Sequence, residues 1–246
     1  MHSILIIGQS NMAGRGFVNE VEPIINDKLF VLRNGRWQKM YVPVNPDRNT
    51  SGISLVESFA DEYAKEHNVE VGIIPCADGG TNLDQWAVGE ALFDNACNMV
   101  KLALRSSDIV AVVWHQGESD CPRIYDIDFK EKLAVILDAF RDKLNLQDVP
   151  FLVGELGEYL INYFPNDNFR YVNKLLREYA EETTMTGFVS ADGLSCNPDN
   201  LHFNSKSLRE FGLRYYEEFK KIENPDRTFN EKDSSNQKII NNIENL

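Results

Sequence analysis

Four stretches of the 246-residue chain carry residue types that acyl-transfer chemistry uses. In "ILIIGQSNMAGRG" (residues 4–16) an apolar run stops at Gly8, and Ser10 follows two residues later. A serine hydroxyl is a weak nucleophile and needs an adjacent base. The chain has four histidines. His2 precedes the apolar run, and His67 closes the charged stretch "AKEH", which reads as a solvated helix end. His115 and His202 remain. His202 lies in "PDNLHF", three residues after Asp199, so one loop could carry both a base and the carboxylate that fixes its tautomer. Oxyanion donors are at hand in the Ser10 N–H at a helix start, a backbone N–H of the Gly79–Gly80 pair and the side-chain amide of Gln116. Losing one such donor typically costs roughly 10²–10³ in rate.

Each of these residues also has a plainer reading. Ser10 could be a helix N-cap, and Asp199 and His202 could belong to a surface turn. His115 is a rival base, but its place beside Gln116 favours a structural or pocket-lining role. Glu118 could orient His202 in place of Asp199, bind substrate or hold its loop, and the supporting role is preferred. Gly79 reads as a turn glycine. Trp86 is open between a sugar-stacking platform and core. Asn11 and Arg15 flank the serine turn and read more readily as loop ties than as substrate contacts. Asp78, Asp84 and Asp120 lack histidine partners and are too scattered to suggest a metal site.

The elements that must position these residues alternate along the chain. Residues 3–7 read as a strand and 29–32 as a weaker one. Further strands are expected at 69–75, 108–114, 149–155 and 186–190. Helices are expected at 54–67, 89–105, 126–144, 167–182 and 205–222. Ser54 and Glu57 have capping-box spacing. Residues 33–53 read as a long irregular stretch. Such βαβα order implies an α/β fold with a parallel sheet covered by helices on both faces. Ligands bind such sheets at the carboxyl ends of the strands. The polar, glycine-rich segments "GQSNMAGRG", "CADGGTNLDQW", "HQGESD" and "ADGLSCNPDNLHF" all follow strands and gather at that edge.

Composition bounds the partners. Apolar residues are 43% and charged residues 26%, an ordinary globular balance. A net charge of −13 disfavours nucleic-acid backbones and anionic membrane surfaces and suits a neutral substrate. Cys76, Cys97, Cys121 and Cys196 are scattered, with no zinc-ligand spacing, and read as reduced thiols. No secretory signal or transmembrane-length run is visible, so a cytoplasmic location is expected. One domain is expected over residues 1–223, followed by a polar extension over 224–246.

The blocks "GQSNMAG", "GGTNLDQW", "WHQGESD" and "DNLHF", in this order and approximate spacing, resemble the SGNH-hydrolase superfamily. The similarity is strongest to its sialate O-acetylesterase-like branch, which includes the carbohydrate esterase family 6 acetylxylan esterases. "GISLVESFADEYAK" is similar to the first long helix of that branch, and the resemblance spans roughly residues 3–220. It implies a three-layer α/β/α sandwich, flavodoxin-like in layering, and an esterase that removes acetyl groups from carbohydrate hydroxyls without metal or cofactor. By position, Ser10 matches the nucleophile, Asp199 and His202 the acid–base pair, and Gly80 and Gln116 oxyanion donors. The wider superfamily usually carries Asn where this chain has Gln116, whereas the esterase branch itself uses Gln in "QGE". The alternatives are a lipid or thioester hydrolase on the same fold and a non-catalytic carbohydrate-binding protein. An FMN binder is disfavoured because "GQSNMAG" is a poor phosphate loop.

Overall fold

The computed structural model describes residues 1–229. In chain order its elements are β1 (His2–Gly8), α1 (Ser10–Ala13), β2 (Leu29–Arg33), β3 (Arg36–Lys39), α2 (Val56–His67), β4 (Val71–Pro75) and α3 (Ala91–Ala103). They continue as β5 (Asp108–His115), α4 (Phe129–Leu144), β6 (Phe151–Gly154), α5 (Asn168–Glu182), β7 (Thr186–Val189) and α6 (Ser205–Ile222).

The alternation of side chains along β1 sets the layering. Successive residues of a strand point to opposite faces. Leu5 and Ile7 join the apolar cluster formed with α3, α4 and α5, whereas Ile4 and Ile6 join the one formed with α2 and α6. Both faces of β1 are therefore dry, and the sheet is sandwiched between two helical layers. Its seven strands run in the order β3-β2-β4-β1-β5-β6-β7. Every neighbouring pair is parallel except β2 and β3, which are antiparallel.

That exception lies in the stretch expected to be irregular. Residues Asn34 and Gly35 both have positive φ, 51° and 73°, and fold β3 back onto β2. An Asn-Gly pair suits such a two-residue turn because both central positions need left-handed backbone. Trp37 of β3 is buried and packs closely against Gly72 of β4. Only one half of the predicted capping box is present: the Ser54 N–H donates to Glu57 Oε1 at 2.9 Å, while the Ser54 hydroxyl donates to the Met12 carbonyl at 2.8 Å and regular helix begins at Val56. Among the described residues no helix is long and apolar enough to cross a membrane. The first residues of the expected polar extension return to the sheet, where an Arg227 N–H donates to the Ile109 carbonyl at 2.9 Å. Residues 230–246 of that extension lie outside the described residues.

The sheet order places β1 in the middle, with the β4 and β5 loops on either side at its carboxyl end. The loop after β7 starts at the far edge, and to reach β1 it must pass the ends of β6 and β5.

Candidate active site

Backbone crowding shapes the turn that carries Ser10. Gly8 has φ 127°, and a Cβ there would stand 2.2 Å from the His115 carbonyl oxygen. The Gln9 N–H donates to that same carbonyl at 3.0 Å. The chain therefore leaves β1 against the end of β5 and starts α1 at Ser10. Ser10 Oγ lies 2.9 Å from His202 Nε2, and His202 Nδ1 lies 2.7 Å from Asp199 Oδ2. With the carboxylate as acceptor, Nδ1 carries the ring proton and Nε2 is free to accept from the serine hydroxyl. Asp199 Oδ1 also accepts the backbone N–H groups of Leu201 and His202, at 2.9 and 3.0 Å. Partial burial pushes the Asp199 carboxyl up, but the bonds from the His202 ring and these backbone groups outweigh it and hold it below the usual carboxylate range.

The His202 loop is tied to the serine turn at several points. It closes on itself through a bridge between Cys196 and Phe203 and through the Asn197 N–H, which donates to the His202 carbonyl at 2.7 Å. Asn197 Nδ2 donates to the Arg15 carbonyl at 2.9 Å. Asn11 joins three segments. Its Oδ1 accepts the Phe203 N–H at 3.0 Å, and its Nδ2 donates to Glu118 Oε1 at 2.6 Å and to the Leu201 carbonyl at 3.3 Å. The amide has one possible orientation, because the Phe203 N–H can only donate and the carboxylate can only accept.

Above Ser10 opens a cleft of about 510 Å³, whose walls include Gly79, Gly80, Glu118, Tyr163, Phe164 and His202. Among the described residues no protein acceptor takes the N–H of Ser10 or of Gly80, whereas the Gly79 N–H is spent on Asp47 Oδ2 at 2.8 Å. Gln116 is fully buried beside Thr81, does not line the cleft, and leaves its Nε2 without a partner. A serine hydroxyl bonded to an imidazole, with open backbone N–H groups nearby, can take up an acyl group.

The model of the carbohydrate esterases described as sialic acid-specific acetylesterases matches residues 1–221. The chain belongs to that family. It is an ester hydrolase of the carbohydrate esterase class. It is 28% identical over 237 residues to an Arabidopsis thaliana protein named as a probable carbohydrate esterase, covering 85% of this chain and 86% of the plant protein. An X-ray structure of an Arabidopsis thaliana protein aligns at TM-score 0.79 and 24% identity over 89% of this chain and 98% of that one. A carbohydrate acetylesterase from Xanthomonas citri aligns at TM-score 0.67 and 17% identity over 89% of this chain and 56% of that one. These structural likenesses show the shared fold.

In this carbohydrate esterase, the other residues singled out from sequence turn out to be mostly supports. Trp86 is wholly buried, donates to Thr81 Oγ1 at 3.1 Å and meets Trp114 edge-on, so it is core and offers no sugar platform. Both amide atoms of Asn11 are used internally. Arg15 is bidentate to Asp47, at 3.0 and 2.8 Å, and also donates to the Gly14 carbonyl. His115 is fully buried, with Nδ1 3.4 Å from the Tyr215 hydroxyl and Nε2 3.4 Å from Glu118 Oε1, and the histidine bonded to Ser10 is His202. Burial raises the Glu118 carboxyl, but the facing His115 and the Asn11 amide outweigh it and hold it below its ordinary value. Gly79 has no room for a side chain, since a Cβ there would stand 2.4 Å from Arg15 Nη2 and 3.4 Å from Ser10 Cβ.

Asp47 and Tyr163 are among the residues of the site that the sequence did not mark. Asp47 holds Arg15, the Ser51 hydroxyl and the Gly79 N–H together. It sits in a stretch with no periodicity, and only its polar neighbours Asn45, Arg48 and Ser51 could have drawn attention to it. Tyr163 is half exposed and packs edge-on against Phe164 at 5.0 Å in the cleft wall. Lone aromatics in a loop carry no spacing signal.

Proposed function

We propose that the protein hydrolyses O-acetyl esters of carbohydrates through an acetyl-serine on Ser10. The observation that carries this reading is the unbroken chain from Ser10 Oγ through His202 to Asp199, opening onto the cleft. Ser10 Oγ attacks the acetyl carbonyl carbon while His202 Nε2 takes its proton. The resulting oxyanion is held by the N–H groups of Ser10 and Gly80. Gln116, the third donor expected from sequence, is fully buried and outside the cleft wall, so the two backbone N–H groups carry the oxyanion in this scheme. His202 returns the proton to the departing sugar oxygen, and the C–O bond breaks. Water then attacks the acetyl-serine by the same route and releases acetate. Asp199 stays ionised throughout and stabilises the imidazolium.

The test is acetate release from p-nitrophenyl acetate, acetylated xylan and O-acetylated sialic acid by wild type and Ser10→Ala. The variant should keep the wild-type melting profile and lose at least about 10³-fold in turnover. A folded Ser10→Ala protein with near wild-type turnover would overturn the assignment.

A further inference from the structure

We infer that the cleft selects acetylated sugars without a charged substituent, which narrows the acetylesterase reading on which this inference rests. The family description names sialic acid, a sugar that carries a carboxylate. Proteins recognise such a group with a guanidinium or ammonium that is free to bond it, most strongly as a bidentate Arg pair.

Among the described residues, Arg15 is the one arginine or lysine lining the cleft, and it is already committed. Its two Nη atoms hold both oxygens of Asp47, and the two side chains are only 7% and 4% exposed. Turning Arg15 toward a ligand would leave Asp47 buried without its partner, a strongly unfavourable state. The arginines on the adjoining loops are paired as well. Arg48 bonds Asp78 at 2.6 Å and the Gly79 carbonyl at 3.0 Å. Arg123 bonds Asp120 at 2.9 Å and also Asp84.

The charges that remain are of the opposite sign. Glu118 lines the cleft, and Asp199 stands behind His202. The overall charge of −13 adds a long-range field of the same sign, which salt screens. Tyr163 and Phe164 offer apolar ring surface suited to the C–H face of a neutral sugar. Asp47 is therefore the specificity-determining residue, because it cancels the guanidinium nearest Ser10.

The experiment compares paired sugar esters in which one member carries a carboxylate and the other a neutral group in its place. The pairs are 9-O-acetyl-N-acetylneuraminic acid against its methyl ester, and O-acetylated methyl glucuronide against O-acetylated methyl glucoside. Wild-type kcat/KM should favour the neutral member of each reactive pair by about tenfold at low salt, and the ratio should shrink in 0.5 M NaCl. Asp47→Asn, which leaves Arg15 unneutralised, should move the ratio toward the acid by a similar factor. Equal rates for the two members in wild type, or a preference for the acid, overturns the inference even where the variant fails to fold. An unchanged ratio in a folded Asp47→Asn protein overturns the role of Asp47. If no sugar ester is cleaved while p-nitrophenyl acetate is hydrolysed in a Ser10-dependent way, the carbohydrate substrate falls and this inference with it. Absence of Ser10-dependent release from p-nitrophenyl acetate overturns the serine mechanism instead.

Discussion

Replacing Asn11 with aspartate preserves shape and changes one hydrogen-bond donor into an acceptor. In the wild type, Asn11 Nδ2 donates to Glu118 Oε1 at 2.6 Å, and both residues are almost completely buried. Losing a hydrogen bond to a charged group costs about 1.5–3 kcal/mol. The variant also sets two almost completely buried carboxylates against each other, where they cannot both ionise cheaply, so the pair keeps a proton. The total loss at pH 7.5 should be about 3–5 kcal/mol, the range for a broken buried charge pair. The pH dependence separates this account from simple loosening. The folded pair has a raised pKa, so above the unfolded carboxylate value the folded state binds more protons than the unfolded one. Stability of Asn11→Asp relative to wild type should then fall as pH rises, by up to about 1.4 kcal/mol per unit. Wild-type Glu118 behaves in the opposite sense. Its carboxyl is held low, so its contribution is complete above the unfolded pKa and is lost only as pH falls through the folded value. Asn11→Ala supplies the control, because it removes the donor without adding a second carboxylate, so its recovery in acid should be the smaller one that comes from protonating Glu118 alone. Urea unfolding midpoints at pH 5, 6, 7 and 8 for the three proteins measure the difference. A variant as stable as wild type across this range, or one displaced equally at every pH, would refute the assigned contact between Asn11 and Glu118.

Gly79→Ala should destabilise more than Gly80→Ala. A Cβ at residue 79 would stand 2.4 Å from Arg15 Nη2 and 2.9 Å from Asp47 Oδ2. Displacing that buried pair is worth roughly 3–5 kcal/mol. At Gly80 a Cβ meets nothing within 4 Å, and only the backbone at φ +79° resists, worth about 1–2 kcal/mol. Equal shifts in Tm would count against the packing described around Ser10. Tyr163→Ala should raise KM for an acetylated oligosaccharide by about tenfold and leave p-nitrophenyl acetate turnover unchanged, since the small ester does not reach that wall. Equal losses on the two substrates would show that Tyr163 supports the fold instead of contacting sugar.

The strands were legible as short continuous apolar runs such as residues 4–7, and the helices through their local period of 3.6, as in Phe129 with Leu133, Ile136, Leu137 and Phe140. The β3 strand was not legible although the Asn34–Gly35 turn after the apolar run of β2 was present. A four-residue edge strand with one buried residue, Trp37, shows little alternation. Trp86 shows the converse limit. Its type suits a sugar platform or a core, and only its contact with Trp114 and its complete burial decide for the core.

By itself the sequence determined that strands alternate with helices and that Ser10, Gly79–Gly80, Gln116–Glu118 and Asp199–His202 each follow a strand. In a parallel sheet those segments share one edge by chain direction alone. The tertiary structure decided which of them touch. The loop after β7 starts three strands from β1, and His202 meets Ser10 only because Asn11, Asn197 and Phe203 fasten that loop across the sheet. The tertiary structure also decided the charge of the cleft. Arg15 and Asp47 are 32 residues apart, and no local pattern states that one cancels the other. Periodicity is a property of neighbouring residues, whereas charge pairing and loop closure depend on which distant surfaces the packed core brings within a few ångströms.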